Sequence, residues 1–137
     1  MPLKSITAMN GSLDNDYGTT HGSHAPSSHV LALFVGDPMT DGVELDSGDN
    51  PGYARATILA SKWLVAADGM KSTNGGVQFN NATGAWLDEA THWAIIDGST
   101  TWDCAPLLEP LAITAAGSGP QVTVTVFYDD SVLSPDL

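Results

Sequence analysis

His29-Val30-Leu31-Ala32-Leu33-Phe34-Val35-Gly36-Asp37-Pro38 decides how the chain is read. The apolar run from Val30 to Val35 stops at Gly36-Asp37-Pro38. Pro38 has no N–H to give to a ladder, and Asp37 initiates turns through its own side chain. The stretch therefore predicts a buried strand followed by a loop.

Working outward, a polar turn leads to Gly42-Val43-Glu44-Leu45, and a second loop leads to Gly52-Tyr53-Ala54-Arg55-Ala56. Apolar segments then alternate with turn signals roughly every 8 to 15 residues, the spacing of an all-β sandwich or barrel. Asp68-Gly69, Asn74-Gly75-Gly76 and Asp97-Gly98 are hairpin-grade turns. Near the end, Val122, Val124, Val126 and Tyr128 alternate with Gln121, Thr123, Thr125 and Phe127. That strict period of two predicts one strand with a core face. The best helical candidate, Tyr53 to Ala67, is interrupted by β-branched Thr57 and Ile58, lacks an N-cap, and reads as one long strand or two short ones.

The predicted fold is all-β: a single-domain antiparallel β-sandwich, jelly-roll-like, with an extended N-terminal arm. Residues 1–28 form the arm, 29–130 the sandwich and 131–137 a C-terminal tail. The arm assignment rests on residues 5–28, which are rich in Gly, Ser, Thr, Asp and His and poor in large apolar groups, a composition that cannot build its own core.

At 137 residues the chain is long enough to bury roughly two-thirds of its unfolded surface without a disulfide or metal. Lys4, Arg55, Lys62 and Lys71 face sixteen acidic residues, for a net charge of -12. Such a surface repels phosphate, which argues against nucleic-acid and anionic-membrane partners. Cys104 is the sole cysteine, so no intrachain disulfide is available. Met1-Pro2-Leu3-Lys4 leads into polar sequence without an apolar targeting region, so a soluble protein made in the cytoplasm is expected.

His21, His24 and His29 are candidate metal ligands by type and spacing, but a zinc site would need a fourth ligand from Asp14 or Asp16 or from a neighbouring chain, and polar loop residues are the preferred reading. Asp14-Asn15-Asp16-Tyr17-Gly18 opens like a calcium loop, but Gly18 and Ala25 stand where oxygen ligands are required. Asp41, Glu44, Asp46 and Asp49 crowd one loop and read as a solvated acidic face, with calcium held in irregular oxygen geometry as the alternative. No metal or cofactor is expected. Cys104 and His92 occur without a Gly-x-Ser-x-Gly elbow or a His-Glu-x-x-His motif. Asp88-Glu89 and Asp129-Asp130 are adjacent pairs, which point to opposite faces of a strand. No catalytic residues are assigned. Trp93 alternates with Ile95 and is expected in the core, whereas Trp86, after the Thr83-Gly84 turn, is expected to be exposed. His21, His24, Pro26 and Trp86 are the expected interface residues.

The segments Leu31-Ala32-Leu33-Phe34 with Asp37-Pro38, Glu44-Leu45 with Gly52-Tyr53-Ala54-Arg55, Val77-Gln78-Phe79 with Ala82-Thr83-Gly84-Ala85-Trp86, and Thr91-His92-Trp93-Ala94-Ile95-Ile96-Asp97 stand in an order that resembles small tailed-bacteriophage accessory structural proteins, tail-fibre-like and virion-associated. The resemblance runs from about His29 to Tyr128. Gly98-Ser99-Thr100-Thr101 replaces the Gly-Gly that usually follows the last of these strands. The resemblance implies a non-enzymatic virion component that contacts major capsid or tail proteins and copies of itself. Decoration of the capsid surface is the first expectation and tail or tail-fibre attachment the second. A glycan-binding host-recognition module is the alternative.

Overall fold

The structure is a computed structural model that describes Asn10, Leu13 and residues 29–127. The described residues fall into two compact units. One comprises 29–58 and 77–122; the other comprises 59–76 and 123–127 with Asn10 and Leu13.

The larger unit is built on a five-stranded antiparallel sheet. The apolar run is its first strand, β1 (His29–Val35), as expected from sequence. Two short strands share one edge of β1: β2 (Val43–Glu44) pairs with Phe34 and Val35, and β3 (Ala56–Ile58) pairs with His29 to Leu31. After β4 (Met70–Ser72) and β5 (Val77–Gln78), which lie elsewhere, β6 (Ala90–Asp97) pairs with the opposite edge of β1. Because β1 and β6 have neighbours on both sides, both faces can be filled with apolar groups. Leu31 opposes Ile95 and Leu33 opposes Trp93 on one face, while Ala32, Phe34, Ala94 and Ile96 cluster on the other.

A two-residue turn, Gly98-Ser99, joins β6 to β7 (Thr100–Leu111). Gly98 has φ +65°, the positive value that the first central position of a type II′ turn requires. β7 is the last strand of this sheet, and none of its twelve residues is fully buried. Pro106 and Pro110 are tolerated there because an edge strand needs only half of its ladder groups. A two-stranded ribbon of β5 and β8 (Gln121–Val122) completes the unit's pairing.

In the second unit, β4 pairs with β9 (Thr125–Phe127). Ala67 and Met70 exchange both backbone hydrogen bonds at 2.9 Å around Asp68-Gly69, whose φ values of 55° and 74° define a type I′ turn. Leu13 is buried here, and Asn10 Oδ1 accepts the Gly69 N–H at 2.8 Å; both residues have helical backbone. The rest of the expected arm, the tail and Tyr128 lie outside the described residues.

Antiparallel pairing throughout fits the all-β class. Of the sandwich expected within that class, the pairing records the sheets and not their stacking. Two details of the strand reading need correction. The alternation at the C-terminal end holds, with Val122, Val124 and Val126 inside, but the strand is in two pieces. In the gap between β8 and β9, Val124 N–H donates to Thr73 Oγ1 at 3.1 Å, a side-chain partner in place of a ladder carbonyl. Of Tyr53 to Ala67, only Ala56–Ile58 is strand. Ala60–Lys62 winds into a 3-10 turn closed by Lys62 N–H on Leu59 O at 2.9 Å.

Candidate functional site

The segments Glu44-Leu45 and Tyr53-Ala54-Arg55 converge on one polar network at the edge of the five-stranded sheet. β2 brings Glu44 opposite Phe34 of β1. The preceding turn is held by Asp37, whose backbone oxygen accepts the N–H groups of Thr40 and Gly42 and whose Oδ1 accepts Met39 N–H at 2.9 Å. Gly52, at φ +86°, redirects the chain into Tyr53; a Cβ there would collide with the Asn81 carbonyl oxygen. Tyr53 is buried, stacked on Phe79 at 6.3 Å and edge-on to Trp86 at 5.9 Å. Its hydroxyl accepts Leu33 N–H at 3.1 Å and donates to Glu44 Oε2 at 3.0 Å.

Arg55 completes the network. Its Nη2 and Nε grip the two Glu44 oxygens at 2.7 and 2.9 Å, and its Nη1 donates to Gly98 O at 3.2 Å in the β6–β7 turn. Burial alone pushes the Glu44 carboxyl up, but hydrogen bonds from Arg55 and Tyr53 and the Arg55 charge outweigh it and leave the pKa below the ordinary value. Burial is also the main reason the Tyr53 phenol is raised far above its ordinary value, so it remains a donor. The network is a clamp. Each acidic or basic group in it is matched by a partner, and none is left as a free acid, base or nucleophile.

Beside the clamp, Asp41, Glu44, Asp46, Asp49 and Asp88 line an open recess of about 530 Å3 with Val35, Gly36 and Val43. Two of its lining residues, Asp46 and Asp88, are tied together by Asn50, which has no exposed surface. Asn50 Nδ2 donates to Asp46 O and Asp88 Oδ2, both at 3.0 Å, and its Oδ1 accepts Asp88 N–H at 3.1 Å. Asp46 Oδ1 caps the same loop by accepting Asp49 N–H at 2.9 Å. Among the described residues, no three His, Cys, Asp or Glu side chains are grouped to hold a metal ion.

His21, His24 and Pro26 lie outside the described residues. His29 is buried within β1, opposite Ile58. His92 is half-buried, with Nδ1 2.9 Å from Thr91 Oγ1, a hydrogen-bonded strand histidine as expected. Cys104 lies in β7 opposite Ala94, where burial and the charges of Asp37 and Asp103 push its thiol up, away from the thiolate. Trp93 is buried, as expected. The exposure expected for Trp86 is corrected: only 8% of it is accessible, because its Nε1–H donates to Pro51 O at 3.0 Å and its ring meets Tyr53. Trp63 is also buried and Trp102 half-buried.

Sequence reasoning placed Glu44 and Arg55 in recognisable segments but did not join them, and it passed over Asn50. The available signal was compositional: Arg55 is the only arginine in a strongly acidic chain.

The family model described as Podophage GP4 fiber I protein gp80 matches residues 5–128. That is most of the chain, and the chain belongs to this family; it is a structural phage protein. No curated protein matches it. No helix among the described residues is long and apolar enough to cross a membrane.

Proposed function

We propose that this member of the podophage fiber I family is a non-enzymatic subunit of the virion's fibre, held there by contacts with other virion proteins and with copies of itself. The observation that carries the reading is the extent of the family match, residues 5–128, which spans both compact units and not a single shared module. The description of the family as a fibre protein favours the fibre over capsid decoration.

The surface chemistry supports a role in assembly. β7 is a long edge strand carrying the fully exposed Leu108, and Leu87, ahead of β6, is 75% exposed. Exposed strand edges and apolar side chains gain free energy when a neighbouring subunit covers them. Glu44, Tyr53 and Arg55 are engaged with one another in the clamp, which serves to hold the sheet edge together. The glycan-binding alternative loses support because three of the four tryptophans are at most 8% exposed, leaving little aromatic surface for stacking on sugars. Residues 1–28 remain the proposed attachment segment, apart from Leu13, whose side chain is buried, and Asn10, whose side chain accepts the Gly69 N–H.

Locating the chain in virions tests the proposal. Phage carrying an epitope insertion in this chain, decorated with antibody and imaged by electron microscopy, are expected to show label on the fibres. Label distributed over the capsid lattice would overturn the fibre assignment in favour of decoration.

A further inference from the structure

We propose that the Asn74-Gly75 turn is a site of spontaneous deamidation, in which Asn74 converts to aspartate and isoaspartate ahead of the chain's other Asn-Gly pair, Asn10-Gly11. In the reaction, Gly75 N attacks Asn74 Cγ. The new N–Cγ bond closes a succinimide, the Cγ–Nδ2 bond breaks, and Nδ2 leaves as ammonia carrying the proton lost from Gly75 N. Water then opens the ring. Cleavage of the bond from Gly75 N to Cγ gives aspartate, and cleavage of the bond to the main-chain carbonyl carbon gives isoaspartate. No oxidant or cofactor is involved.

The two Asn-Gly pairs are equivalent in sequence and differ in structure. Asn74 and Gly75 are both exposed. Among the described residues, no hydrogen bond engages the Asn74 side-chain amide or the Gly75 N–H. Gly75 lies at φ +77°, and a Cβ built on it would meet nothing closer than Lys62 Nζ, at 4.0 Å. The attacking nitrogen is therefore not held in a hydrogen bond, and the glycine it belongs to has open space beside its Cα. Asn10, by contrast, has its Oδ1 committed to Gly69 N–H at 2.8 Å, which restrains the side-chain amide that would have to turn toward the backbone.

Lys62 adds an electrostatic reason. Its Nζ is the one atom that a Cβ built on Gly75 would meet within 4.0 Å outside the adjoining residues, and its backbone oxygen accepts Asn74 N–H at 2.7 Å, which fixes the turn beside it. A cation so placed stabilises the oxyanion that forms as Gly75 N adds to the amide. It also pairs with the carboxylate produced. Thr73 Oγ1 donates to Gly75 O at 2.8 Å, so the turn opposes full rearrangement, and the product carries one further negative charge on a chain already at -12.

The test is to age the purified full-length chain at mildly alkaline pH, then map it by tandem mass spectrometry with isoaspartyl methyl-transfer labelling. Conversion at position 74 several-fold faster than at position 10 is expected, and N74Q should abolish the dominant acidic species on ion exchange. Equal or slower conversion at position 74, or persistence of that species in N74Q, overturns the proposal. K62Q should slow conversion at position 74 and leave position 10 unchanged. An unchanged or faster rate at position 74 overturns the role given to Lys62.

Discussion

Arg55 holds Glu44 by both carboxylate oxygens, at 2.7 and 2.9 Å, while 40% of the arginine side chain is still open to solvent. The fork geometry fits a bidentate pair, but exposure and salt limit its energetic weight. Arg55→Ala is expected to lower unfolding free energy by only about 1 kcal/mol, and Arg55→Lys to recover part of the loss at most, since an ammonium cannot reproduce the fork. Urea titration at low and high salt checks this; a loss that does not change with salt would point to packing instead.

Tyr53 carries more weight than the ion pair it supports. Its hydroxyl is the acceptor for the N–H of Leu33, a residue with no exposed surface. Tyr53→Phe strands that donor in the core, and a loss of about 1–3 kcal/mol is expected. A stability equal to that of the parent chain would mean that water reaches Leu33 N–H.

Acid weakens the clamp in a defined direction. The Glu44 pKa in the folded chain lies below its ordinary value of 4.5, through Arg55 and Tyr53 and against the effect of burial. A depressed carboxyl contributes stability that is present above the unfolded pKa and is lost as pH falls through the folded one. Stability should therefore decline as pH drops below 4.5, and Glu44→Gln should flatten that part of the profile. Parallel acid profiles for the two proteins would place the dependence on other carboxylates.

Asn50 and Gly52 fix the loop under the acidic recess by different means. Asn50→Ala removes a side chain with no exposed surface that makes three hydrogen bonds, leaving Asp88 N–H and Asp46 O without it, and a loss of about 2–4 kcal/mol is expected. Gly52→Ala is strained at φ +86° and forces a clash with Asn81 O, whereas Gly117→Ala has nothing within 4 Å and serves as the neutral control. Thermal melts of the three variants separate these outcomes.

At the C-terminal end, Val124 has no exposed surface and Thr123 faces solvent. Val124→Asp buries an unpaired charge and should prevent folding, while Thr123→Asp should be nearly neutral. Thr125→Asp is expected to fall between them, because Thr125 Oγ1 shares a 2.8 Å hydrogen bond with Ser72 Oγ. Circular dichroism and melting temperature provide the comparison, and equal tolerance at 123 and 124 would contradict the assigned face.

The features legible from sequence were those written in neighbouring residues. The run Val30 to Val35, the stop at Gly36-Asp37-Pro38, the Asp68-Gly69 turn and the inward valines at 122, 124 and 126 each follow from local periodicity or turn chemistry. The all-β class follows from them too, whereas the resemblance to phage fibre-like proteins rests on the order of particular segments, from Leu31-Ala32-Leu33-Phe34 to Asp97. Tertiary structure alone decided which segments meet. Glu44 finds Tyr53 and Arg55, Asn50 finds Asp88 thirty-eight positions away, and Thr73 takes the Val124 N–H that a continuous ladder would have used. Trp86 is inside for the same reason, since Pro51 O and the Tyr53 ring reach it only once the chain has folded. Periodicity records which face of a segment is apolar, but a hydrogen-bond partner depends on strand register and loop path, which no short window of residues contains.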